Sequence, residues 1–165
     1  MRYKERHLIA TPAKASDDLW VLIGRVYLNY IVFLQEQLEA DGLAEHIRPG
    51  MGHLLFALFT EDNLTLRDLT ARTGLAPSSV TETVQGLERE GLISRVRDAV
   101  DKRAVRISLT RKARSLEPRC QAVAAQMREV LEHGFTPVAA RRLRGDLSRV
   151  IHNLHEHLKP ADPEP

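Results

Sequence analysis

From Ser16 to about Ala40, apolar residues recur at Leu19, Leu22, Val26, Tyr30, Leu34 and Leu38. This three-to-four spacing predicts one long amphipathic helix, ended by Asp41-Gly42. Pro49 suits a helix start, and the cluster Met51, Leu54, Leu55, Leu58 and Phe59 predicts a second, largely buried helix before the turn Asp62-Asn63. Thr65 with Asp68 three residues on is a capping-box pattern, which opens a short third helix, LRDLTART, closed by Gly74. Pro77 fits the first position of a fourth helix, PSSVTETVQGLERE, with Val80, Val84 and Leu87 inward and Gly91 at its end.

After Gly91 the spacing changes from helical to alternating. Leu92 to Val96, a polar loop, and Val105 to Leu109 read as a β-hairpin, with Val105, Ile107 and Leu109 facing the core and Arg106 and Ser108 facing solvent. Thr110 caps a long fifth helix with Leu116, Cys120, Val123, Met127 and Val130 on one stripe, kinked or restarted near Pro118 and ended by Gly134. Thr136-Pro137 opens a last helix with Leu143, Leu147, Val150, Ile151, Leu154 and Leu158 on one face. Residues 1–15 read as a flexible arm and 159–165 as a disordered tail. The fold class is mainly α with a small β-hairpin. Residues 61–109 form one region, and 16–60 with 110–158 form a helical region around it.

Length and composition narrow the class. The 165 residues are enough for one substantial core and few for two ordinary domains. No apolar run approaches the roughly 18 residues that span a bilayer, and MRYKERHLIATPAK lacks the apolar centre of a signal peptide, so a cytoplasmic protein without membrane partners is expected. A single cysteine, Cys120, excludes an intrachain disulfide and is expected to pack on an apolar stripe. The net charge of +2 is uninformative, but Arg89 to Arg114 holds nine Lys or Arg against three acids.

Helix, tight turn, helix and a two-stranded hairpin with a basic loop make the winged helix-turn-helix order, in which the second helix enters the major groove of DNA. The fourth helix has a small polar outer face, Ser78, Ser79, Thr81, Glu82 and Gln85, able to approach base edges and phosphates. Thr65, Pro77, Arg95 and Arg97 join it as candidate DNA contacts. The stretch GLAPSSVTETVQGLEREGLISRVRDAVDKRAVRISLT resembles the MarR family of transcriptional regulators, and the resemblance extends over about Ser16 to Leu158. Its most specific element is Asp101-Lys102-Arg103 followed, after a short strand, by Leu109-Thr110. The resemblance implies that Arg103 enters the minor groove, held by Asp101, with Lys102 beside them. A narrow minor groove concentrates negative potential, which attracts a guanidinium. It also implies a homodimer built from the first and last two helices, reading a pseudo-palindromic double-stranded operator. Repression released by a small aromatic or phenolic effector is implied as well. Ala113 departs from the family's usual glycine, which leaves the start of the fifth helix open.

Trp20, Tyr27, Tyr30 and His53 are candidate walls of an effector pocket, set against plain core and dimer packing. Arg25, Arg48 or Arg119 would neutralise an acid there. His152 and His155 share a helix face, but no third ligand accompanies them, so neither a metal nor a cofactor is expected. No nucleophile with an adjacent base, paired carboxylates or phosphate-cradling loop is evident, so an enzyme is not expected. The competing class is a winged-helix protein-interaction module, which needs apolar or aromatic anchors where this chain has small polar residues.

Overall fold

The structure, a computed structural model, describes residues 17–97 and 105–158. In chain order these form α1 (Leu19–Ala40), α2 (Gly52–Thr60), β1 (Leu64–Thr65), α3 (Leu66–Thr73), α4 (Pro77–Arg89), β2 (Ile93–Arg97), β3 (Val105–Leu109), α5 (Arg111–Glu132) and α6 (Pro137–Leu158). One compact unit runs to Val123 and a second begins at Ala124.

The first unit is organised around the inward faces of α2, α3 and α4. Leu54, Leu55, Leu58, Leu69, Val80, Val84 and Leu87 are all buried, joined by Leu92, Ile93 and Ile107 from the sheet. Fully burying one such side chain stabilises by about 1.5–3 kcal/mol, so this cluster dominates the stability of the unit. The capping box forms as the pattern predicts. Thr65 Oγ1 accepts from the Asp68 amide at 3.1 Å, and the Thr65 amide donates to Asp68 Oδ2 at 3.0 Å. Gly74 closes α3 at φ 64, a left-handed geometry that favours glycine. Pro77 stands in the first turn of α4, after Ala76, which has no side-chain cap.

The sheet contains the expected hairpin and adds a strand to it. It has three strands in the order β1-β3-β2, because Leu64 and Thr65 pair antiparallel with Ile107 and Arg106. β2 pairs with β3 from Ile93↔Leu109 to Arg97↔Val105. Ile107 and Leu109 are buried as expected, but Val105 is exposed at the open end of the ribbon. Arg106 and Ser108 are not fully solvated either. Arg106 donates to the Asn63 carbonyl at 3.0 Å, and Ser108 Oγ donates to Asn63 Oδ1 at 3.2 Å.

α5 is a single helix through Pro118, with no restart. The cost is one missing amide donor, and Ala113, Cys120 and Val123 are buried along the same helix. Thr110 Oγ1 accepts from the Ala113 amide at 3.2 Å, so Ala113 is accommodated as a buried first-turn residue. Of the six-residue stripe on α1 only Leu38 is buried; Leu19, Leu22 and Val26 are exposed. In the second unit, Leu143, Leu147, Ile151, Leu154 and Leu158 of α6 are likewise exposed. Monomers rarely present apolar faces of this extent.

Candidate nucleic-acid interface

The core-facing positions of α4, Val80, Val84 and Leu87, leave Ser78, Glu82, Gln85 and Arg89 on the opposite side by helical periodicity. All four are exposed, as is Ser79. Thr81 is half-buried and its hydroxyl donates to the Pro77 carbonyl at 2.9 Å, inside the helix. Ala76 offers no capping oxygen, so the first-turn amides of Ser78 and Ser79 lack the side-chain acceptor that usually occupies such donors.

Three contacts hold the helix from the sides that do not face solvent. On one flank Gly86 is buried, and a Cβ there would stand 2.8 Å from Met51 Cε, the flexible end of the side chain just before α2, which would have to shift. On the other flank Glu88 Oε2 accepts from Arg95 Nε at 2.9 Å, tying α4 to β2. At its end the Glu90 carboxylate meets Arg48 at 3.4 Å, and the Glu90 carbonyl accepts from Lys112 Nζ at 2.8 Å.

The predicted contacts divide accordingly. Ser78, Ser79, Glu82 and Gln85 share an open surface; Arg97 is exposed on β2 and is in no ion pair among the described residues. Arg95, read as a DNA contact, is committed to Glu88. That pairing joins residues seven apart across a turn, and the acid at the end of the helix was its only trace in the sequence. The Thr65 hydroxyl is committed to Asp68 Oδ2 at 2.7 Å. This bond and the Thr65 amide hold the Asp68 carboxyl below its ordinary range. Asp101, Lys102 and Arg103 lie outside the described residues.

Trp20, Tyr27 and His53 are exposed and Tyr30 is half-buried, with its hydroxyl pushed up by burial. A cavity beside α4, about 190 Å³, is lined by Arg48, Pro49, Met51, Glu82, Gly86 and Arg89 among others. It falls below the roughly 300 Å³ at which ligand pockets begin. Cys120 is buried, and burial raises its thiol pKa, which suits packing. Among the described residues no cluster of three metal-ligating side chains occurs, and no helix is long and apolar enough to cross a membrane.

The fold is shared with solved winged-helix proteins. A MarR transcriptional regulator from Methanosarcina mazei Go1 is 24% identical at a TM-score of 0.65, covering 87% of this chain and 100% of that one. BpsR of Bordetella bronchiseptica, whose DNA binding is regulated by 6-hydroxynicotinic acid, is 20% identical at 0.71, with 84% and 96% covered. PcaV of Streptomyces coelicolor, a transcriptional regulator solved with its natural ligand, is 24% identical at 0.69, with 85% and 97% covered. The MarR family model matches residues 48–105, the segment from just before α2 to the first residue of β3. Over that segment the chain is similar to the MarR family, and its fold resembles that of solved MarR regulators.

Proposed function

We propose that this protein is a sequence-specific double-stranded-DNA-binding transcriptional regulator that acts as a homodimer. The observation that carries the reading is the exposed polar face of α4, Ser78, Ser79, Glu82 and Gln85, on a helix held at both flanks and at its end. A narrow polar ridge fits the major groove, and open first-turn amides suit a phosphate. The face has no exposed large apolar residue, so it lacks the anchors that a protein-docking surface needs. Basic residues follow in β2 and β3, and in the intervening Asp101-Lys102-Arg103 the resemblance supplies the minor-groove contact.

In the dimer, α1 contributes Leu19, Trp20, Val26 and Tyr27, and α6 contributes Leu143, Leu147, Ile151 and Leu154, all exposed in the single chain. A two-fold axis would set two α4 helices on half-sites about 34–36 Å apart. Repression is the regulatory sense we assign. A small aromatic or phenolic acid is the effector class, with Trp20, Tyr27, Tyr30 and His53 as its contacts once the second copy is present. The nicotinic-acid response of BpsR supports that class.

Selection of bound duplexes from a random pool tests the reading. The expected product is a pseudo-palindrome with half-sites one helical turn apart. Binding that is indifferent to sequence at every salt concentration overturns it.

A further inference from the structure

The exposed face of α4 holds one charged group near its N-terminal half, and that group has the wrong sign for a phosphate. Glu82 is exposed, lies one turn after Ser78, and stands opposite the buried Val80 and Val84. The other acids of α4 and its C-cap are committed: Glu88 to Arg95 and Glu90 to Arg48. Among the described residues Glu82 is in no ion pair and accepts no side-chain hydrogen bond, although Arg89 and Arg48 line the same shallow cavity. A bare carboxylate facing a polyanion is repelled unless a base edge offers it a donor.

We infer that Glu82 is a specificity-determining residue that requires a cytosine at one position of each half-site. The inference rests on the DNA-binding reading above. In the major groove the cytosine N4 amino group is the donor that Glu and Asp accept from. Adenine also has an N6 donor but sets it beside the N7 acceptor, which a carboxylate cannot satisfy, whereas guanine presents N7 and O6 and thymine presents O4, all acceptors. At those edges the carboxylate meets lone pairs in a site too narrow for water to screen them. Glu82 therefore acts mainly by exclusion: a correct pair gains one charge-assisted hydrogen bond, and a wrong pair leaves a desolvated anion against an acceptor. Gln85, on the same stripe one turn later, has the amide that pairs adenine N6 and N7. Glu82 lies nearer the start of α4, the end from which recognition helices reach base edges.

Duplex selection with the full chain, repeated for Glu82→Gln and Glu82→Ala, tests this. Wild type is expected to fix one C·G pair per half-site and to discriminate against the other pairs there by about 5- to 150-fold. Glu82→Gln is expected to move that position to A·T. Glu82→Ala is expected to lose preference at that position alone and to bind non-specific duplex more tightly than wild type, since the repulsion is gone. A helix merely weakened by the substitution would lower preference at every position and tighten nothing. Selected sites identical among the three proteins overturn the role of Glu82 and leave DNA binding intact. Wild type that selects no site overturns the DNA-binding reading, and the assignment to Glu82 with it.

Discussion

Asp62 joins three elements through one carboxylate, so its removal has a calculable cost. It follows α2 and lies opposite Leu109, beyond the two residues of β1, where β3 has run out of strand partner on that side. Asp62 Oδ1 accepts from the Leu109 amide at 2.9 Å and from the Asn63 amide at 2.7 Å, and Oδ2 meets the Arg114 guanidinium at the start of α5. Asp62→Ala leaves the amide of buried Leu109 without an acceptor, a loss of about 1–3 kcal/mol. The Asn63 bond adds about 1 kcal/mol. The Arg114 pair, with side chains 55% and 26% exposed, adds no more than about 1 kcal/mol after solvent screening. The expected destabilisation is therefore about 2–5 kcal/mol. Asp62→Asn keeps the Oδ1 acceptor and loses the charge, so it is expected to lie within about 1 kcal/mol of wild type.

Urea unfolding at fixed protein concentration, followed by circular dichroism, reads both variants. The Leu109 amide, followed by hydrogen exchange, gives the local result. The alanine variant should lose protection at Leu109 before the core of α2 and α4 does. An Asp62→Ala midpoint indistinguishable from wild type, with Leu109 protection retained, refutes the assignment of the clamp. Equal loss in both variants places the whole effect in the charge and refutes the hydrogen-bond account.

The remaining predictions concern acid stability, assembly and salt. The Asp68 carboxyl is lowered first by the Thr65 hydroxyl and then by the Thr65 amide, so its contribution is complete above the ordinary carboxylate pKa of about 4 and is lost as pH falls through the lower folded value. Asp68→Asn should flatten the acid limb of stability below about pH 4, and parallel urea midpoints against pH for both proteins would contradict this. Ile151, exposed on α6, is expected to be covered in the dimer; Ile151→Glu should weaken self-association at least about hundredfold by sedimentation velocity, because two carboxylates must then be buried. Arg97→Ala should reduce the slope of log affinity against log salt by about 1, whereas Arg95→Ala should also lower stability because it releases Glu88.

The helix-turn-helix was legible because each boundary carries a local chemical mark: the Thr65 and Asp68 cap, the Gly74 stop and the Pro77 start. β1 carries no such mark. Two residues have no period, and their partners Ile107 and Arg106 lie more than 40 positions away. The stripe of α1 was readable as amphipathic, but nothing in its spacing says that Leu38 is covered by its own chain and Val26 is not. Among site residues, the solvent side of α4 followed from the inward Val80, Val84 and Leu87, since one face fixes the other. The commitment of Arg95 to Glu88 did not, because an arginine beside a basic loop reads the same whether it is tethered or free.

On α4 the residues that hold and the residues that face outward are different residues. Gly86, Glu88 and Glu90 anchor the helix, while Ser78, Glu82 and Gln85 touch nothing that the fold requires. The two sets are distinct in that, among the described residues, no hydrogen bond or ion pair joins the outward residues to the anchors. The alphabet of this helix can therefore drift by point substitution while its scaffold stays put, and a descendant can acquire a new address without first surviving a loss of stability.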